Sequence, residues 1–298
     1  MSKTLLPLVA MSGLILAACN DRVHQIDREP LTAQVSVHVS NFSVTMEDFP
    51  STRAMQDVSE YTSAKQIILA FHAPDGTLVN QMVQTRSDQS TYTTFGDFSC
   101  TLPLGTYTVT AIALGLGFTT NDIFTLTSPT QAGFETDRAR DTFVASGTIS
   151  LSSADGNELE LELDRITSQL GIVSTDGRPS NIVKIRTTYA AGSKSFNPTT
   201  GLAYDNNGFS LTNTPTSAID SPINVLSFLF LNTDEQNINI TIETLDSQDN
   251  VVSTHIVENV PFKRNRKTIL TGPLFSGPVS TSSFQLETAW LDDVTVQF

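Results

Sequence analysis

Nucleophilic and metal chemistry in a 298-residue chain would fall first to its cysteines and histidines, and here there are two and four of them. His24, His38, His72 and His255 lie far apart, and none has the spacing of a metal-ligand pair. Cys100 sits near Phe98 and Leu102, as a small apolar residue would, and no pattern supplies it with a base. Phosphate loops, zinc cysteine pairs and nucleophile elbows are absent from the sequence. Tyr204-Asp205-Asn206-Asn207-Gly208 lacks the alternating ligands and closing glutamate of a calcium loop and reads as a hairpin turn. Asn239-Ile240-Thr241 fits a glycosylation sequon but falls within a strand pattern. The expectation is a non-enzymatic chain with no catalytic residue, metal or cofactor.

Cys19 is different. It ends the most hydrophobic stretch of the chain, Leu5 to Leu16 with only Pro7, Ser12 and Gly13 interrupting, and polar sequence begins at Asn20. A positive start followed by about a dozen apolar residues has the layout of a secretory signal. The run is shorter than the roughly 20 residues a bilayer span needs. Leu16-Ala17-Ala18-Cys19 resembles the bacterial lipobox, which implies removal of residues 1–18 and lipidation of the new N-terminal Cys19. Several acyl chains, each buried methylene contributing about 0.8 kcal/mol, give a stable membrane anchor. Residues 19–30 are polar, mixed in charge and aperiodic, as a flexible tether would be.

The full sequence carries a net charge of −14. Without residues 1–18 one lysine is lost, leaving 16 basic and 31 acidic side chains and a net charge of −15. Such a body is repelled by nucleic acid and by anionic lipid, so neither is expected as a ligand. With one cysteine left beside Cys19, no intramolecular disulfide framework is expected.

The elements follow period two rather than 3.6. Val35, Val37 and Val39, then Phe42, Val44 and Met46, share one long strand whose phase changes near Ser40-Asn41, as at a bulge. Gln66 to Phe71 reads as a strand buried on both faces, and Asp75-Gly76 turns it into a hairpin. Tyr107, Val109, Ala111 and Ala113 point one way after Pro103 and Gly105. In Glu158 to Asp164 the leucines at 159, 161 and 163 alternate with Glu158, Glu160, Glu162 and Asp164. Those carboxylates read as a solvated face that discourages edge pairing rather than as a calcium site. Further strand patterns run through the second half. The fold class is therefore all-β: two tandem transthyretin-like or immunoglobulin-like β-sandwiches, residues 31–157 and 158–298, after the signal and tether.

Leu102 to Ala111, Asp141-Thr142-Phe143, Leu163 to Leu170 and above all Val260 to Gly272, in this order behind the lipobox, resemble the fimbrillin-like (type V pilus) subunits of Bacteroidetes. In that context Lys263, Arg264, Arg266 and Lys267 look like a solvated turn before a strand. The resemblance implies a lipid-anchored, surface-exposed outer-membrane protein of a fimbrium, a structural subunit for cell adhesion. Its partners would be other pilus subunits, joined by β-strand exchange, with a host or bacterial surface ligand beyond them. In the family's shaft subunits a trypsin-like protease cuts after an arginine in the loop following the first strand, and Arg53-Ala54 lies where such a cut would fall. That cut displaces the strand carrying Val35, Val37, Val39, Phe42 and Val44.

A C-terminal donor segment would use Phe284, Leu286, Trp290, Val294, Val296 and Phe298, which equally suit the last core strand. Shaft, anchor and tip roles stay open. The alternative is a glycan-binding surface lipoprotein, for which flat exposed aromatics are scarce: one tryptophan, in phase with Phe284 and Leu286, and five tyrosines.

Overall fold

The computed structural model describes residues 30–45, 53–88, 90–153, 156–276 and 285–287. Cys19, Phe284, Trp290, Val294, Val296 and Phe298 lie outside the described residues. Apart from one 3-10 turn at Arg86–Asp88, the regular structure described is all β.

The first half of the described chain runs through β1 (Thr32–Thr45), β2 (Arg53–Asp57), β3 (Gln66–His72), β4 (Leu78–Thr85), β5 (Asp97–Pro103), β6 (Gly105–Leu114), β7 (Phe124–Ser128), β8 (Gln131–Phe134), β9 (Thr142–Leu151) and β10 (Glu158–Arg165), all but β7 and β8 building the first sandwich. One layer has the order β9-β6-β3-β4, and the other places β1 between β10 and the pair β5 and β2. β9 and β10 pair only at Val144↔Asp164 and Phe143↔Arg165. The sheet therefore folds over at that corner, and its halves close on a core that includes Val37, Leu69, Phe71, Val109, Phe143 and Leu163. Gly76, at φ +84°, makes the tight β3–β4 turn.

The second half has β11 (Thr167–Ser174), β12 (Lys184–Tyr189), β13 (Ser195–Phe196), β14 (Phe209–Asn213), β15 (Asn224–Phe230), β16 (Glu235–Leu245), β17 (Val251–Lys263), β18 (Lys267–Gly272) and β19 (Gln285–Glu287), all but β13 building the second sandwich. Its layers are β15-β11-β18-β19 and β14-β12-β16-β17, packed around Leu170, Ile172, Tyr189, Ile240 and Phe262. Each half repeats one device: its opening strand lies parallel to a late one, β1 with β10 and β11 with β18.

The expected division between 157 and 158 moves. β10 gives Leu161 and Leu163 to the first core, so the halves meet at Ile166. A third core fills the junction, where β8 pairs with both β7 and β13. Phe196 and Phe230 have ring centroids 4.6 Å apart, and Phe134 stacks on Phe230 at 6.4 Å. Beside this core Asp141, 2% exposed, receives Arg165 Nε at 2.9 Å, Arg165 Nη2 at 3.2 Å and the Thr167 hydroxyl at 3.1 Å. Arg165 also donates to the Tyr61 hydroxyl at 2.8 Å and to Asn265 Oδ1 at 3.4 Å, and its guanidinium lies 4.6 Å from the centre of the Phe143 ring.

Past β18 the chain is held by one carboxylate. Asp176 accepts from the backbone N–H groups of Leu274, Phe275 and Ser276 at 2.8, 2.8 and 2.6 Å, and from the Ser276 hydroxyl at 2.7 Å. Burial opposes ionisation there, but the bonds from Leu274, Ser276 and Phe275 outweigh it and hold Asp176 below the ordinary value of 3.8. Because the folded pKa is the depressed one, this stabilisation is present above pH 3.8 and is lost as pH falls through the folded value. Asp176→Asn is expected to be less stable than wild type at pH 7, with the gap narrowing below about pH 4. Urea unfolding at several pH values reads this directly, and a gap that does not change with pH would contradict it.

Candidate functional site

The sequence directs attention to β1, and the structure shows what holds that strand. On one edge Thr32 to His38 pair antiparallel with β5, and Asn41 to Thr45 pair with β2. On the other edge Ser36 to Ser43 run parallel to β10. The register slips between Val39 and Asn41, so Ser40 is the extra residue of the expected bulge, and the slip sets Phe42 opposite Leu163. Val35, Val37 and Val39 point inward at 1, 2 and 1% exposure. Burying three such side chains contributes roughly 5–9 kcal/mol.

The outer face of the same strand is polar. His38 lies opposite Glu160 on β10 and pairs through Nδ1 with the Asp97 carboxylate on β5. Glu158, Glu160, Glu162 and Asp164 are exposed, while Leu161 and Leu163 face the core. At the bulge the Val39 N–H donates to the Gly96 carbonyl at 3.0 Å. Gly96 has φ +110°, and a Cβ there would stand 2.7 Å from the Val39 carbonyl oxygen, so only glycine lets the chain come this close.

Arg53 is not in a loop. It opens β2, opposite Thr45, and Ala54 follows opposite Val44. Residues 46–52, which connect the two strands, lie outside the described residues. Immediately beyond β2 the chain is fastened by Arg86, whose guanidinium donates to the carbonyls of Ala64 (2.8 Å), Val58 (2.9 Å), Tyr61 (3.0 Å) and Ser59 (3.1 Å). Its carbon lies 4.2 Å from the centre of the Phe95 ring. Sequence reasoning missed Arg86, because its acceptors lie 22–28 residues away and follow no local pattern.

Where β9 and β10 splay apart, a cleft of about 410 Å³ opens between Val144–Ser146, Glu160–Asp164 and the loop Pro198–Gly201. Arg264 closes its far side, bonded to the Thr200 carbonyl at 3.2 Å and to Asp234 at 3.0 Å. No aromatic side chain lines it. Cys100 is half-buried against the first core, and burial pushes its thiol up, as suits a packing residue. Lys263 pairs with Glu235 and Arg264 with Asp234, so two of the four cations of the basic turn are balanced by neighbouring carboxylates. Of the C-terminal candidates only Leu286 is reached: its backbone pairs with Leu270 on the β18 edge.

Among curated proteins none matches the chain significantly by sequence. Solved structures do match. A candidate polysaccharide-binding protein from Bacteroides thetaiotaomicron superposes with a TM-score of 0.51 at 11% identity, over 81% of this chain and 91% of that one. A candidate adhesin from Bacteroides ovatus gives 0.50 at 10% identity, over 82% and 88%. The fimbrial anchor protein Mfa2 of Porphyromonas gingivalis gives 0.46 at 11% identity, over 81% and 91%. At such identities the first two likenesses establish a shared fold. A family model matches residues 32–294, nearly all of the sandwich pair, and the chain belongs to that family, the family of unknown function DUF6562.

Proposed function

We propose that this chain is a structural, non-catalytic subunit of a cell-surface fimbria. It would be tethered to the outer membrane through lipid on Cys19 and joined to other subunits by exchange of its first strand. One observation carries the reading. β1 stands at the very start of the sandwich, hydrogen-bonded on both edges and buried through Val35, Val37 and Val39. Loss of that strand would leave an apolar groove and two unpaired sheet edges, which an extended segment of another chain could fill. Cleavage between Arg53 and Ala54 would separate β1 from the body, while Arg86 keeps residues 58–64 fastened. The candidate adhesin of the same fold is in keeping with this role.

Treating the purified chain with a trypsin-like protease is expected to give one new N-terminus at Ala54 and ladders that resist mild denaturant. Clean monomers retaining β1 would transfer the chain to an anchor or tip role. Cuts scattered through the body would contradict the reading.

Glycan binding draws on the cleft between β9 and β10 and on the fold shared with the candidate polysaccharide-binding protein. Without an aromatic ring in its lining the cleft offers a sugar no stacking face, so strand exchange is preferred.

A further inference from the structure

Sheet edges are templates for pairing, and proteins defend them with charge, proline, bulges or cover. Most edges among the described residues are defended. The free side of β10 carries Glu158, Glu160, Glu162 and Asp164. β17 has Glu258, Asn259 at φ +55° and Pro261. β14 is five residues long, and its Thr212 is held by Arg138 at 2.6 Å and Asp137 at 3.3 Å. β15 is covered by bridges from Ala139 and Ser193 to Phe228 and Phe230.

β4 is the least protected: its one device is a bulge at Val79, near its start, where Phe71 pairs with Asn80 and His72 with Leu78. Its eight residues, Leu-Val-Asn-Gln-Met-Val-Gln-Thr, contain no charge, proline or glycine, and its only described ladder is with β3. Leu78, Val79 and Val83 are 46, 38 and 49% exposed, and Gln81 is exposed between the two valines. Gln84 turns inward and fixes the strand by donating to the Asp97 carbonyl at 2.6 Å and accepting from the Gly96 N–H at 2.8 Å.

We propose that two copies of this chain pair edge to edge through β4, antiparallel about a two-fold axis at Gln81. That register is self-complementary. Val79 lies opposite Val83 of the partner subunit, and Gln81 lies opposite Gln81 of the partner subunit. The valine pairs are the apolar cross-strand contacts that favour an antiparallel ladder, and the two amides can hydrogen-bond each other.

Charge argues for a second copy as the occupant. A chain of net charge −14 repels its twin over most of its surface, and β4 is an uncharged strip where two copies can approach. At the ends, Asp75 in the turn before β4 of one copy comes beside the end of the other that carries Lys65, Arg86 and Asp88. The pairing would join two subunits side by side and holds whether or not β1 is exchanged.

Cysteine cross-linking of the full chain, with Cys19→Ser and Cys100→Ser removing the native thiols, tests both contact and register. Under mild oxidation Gln81→Cys is expected to form a covalent dimer. Ser87→Cys alone is not, because the two copies of that position stand about 40 Å apart in this register. A mixture of Val79→Cys with Val83→Cys is expected to cross-link. In analytical ultracentrifugation Val83→Lys should weaken self-association about tenfold or more. A Gln81→Cys chain that stays monomeric overturns the proposal, as does Ser87→Cys alone linking as fast as Gln81→Cys. Unchanged association of Val83→Lys overturns it too, and so does a β4 edge that binds only some other protein while the chain remains monomeric.

Discussion

Asp141→Asn is expected to lower the unfolding stability by about 3 kcal/mol, read as a shift of the urea midpoint. The carboxylate is 2% exposed and carries both Arg165 contacts and the Thr167 hydroxyl. Asparagine keeps an acceptor but removes the counter-charge, leaving a guanidinium between Phe143, Tyr61 and Asn265. Removing one partner of a buried pair costs about 3–5 kcal/mol, and the lower end applies because the Arg165 side chain keeps 22% of its exposure to water. Adding Arg165→Met to Asp141→Asn should recover much of the loss, since a thioether can pack where a lone charge cannot. A loss under about 1 kcal/mol in the single variant would show that water already compensates the pair.

This cluster marks where one sandwich passes into the other, and its members show what was legible in advance. The strict alternation around Leu159, Leu161 and Leu163 was readable as a strand with one buried face, because period two maps directly onto the faces of a sheet. The phase change at Ser40-Asn41 was readable as a bulge for the same reason. Which sandwich β10 serves was not readable. That depends on its parallel pairing with β1, more than a hundred residues earlier, and pairing partners leave no local trace. The junction core was missed because Phe124, Phe134 and Phe196 come from separate short segments that alternate too briefly to register as strands, and only tertiary packing brings them to Phe230 on β15. Arg53 follows the same logic. Its position after the first strand was legible, but its pairing with Thr45 was not, so an expected loop residue became the first residue of β2.

Separating β1 from the body is the other change with a large expected effect. The strand contributes three nearly fully buried valines, worth roughly 5–9 kcal/mol, together with hydrogen bonds along both edges. A body cut between Arg53 and Ala54 and stripped of β1 should therefore unfold at markedly lower urea than the intact chain. The loss should also be reversible by supplying the missing strand, since the groove between β5 and β10 is shaped by residues of the body such as Gly96 and Leu163. Replacing Val37 in the supplied strand by aspartate would place an unpaired carboxylate in the core and weaken rescue by about 100-fold or more.

The most direct measurement is titration of the cut, stripped body with a synthetic peptide of residues 31–45, followed by urea unfolding. The account predicts saturable binding that restores the intact midpoint, with the Val37→Asp peptide failing at equal concentration. A stripped body that is already as stable as the intact chain, or one that ignores the peptide, would contradict it.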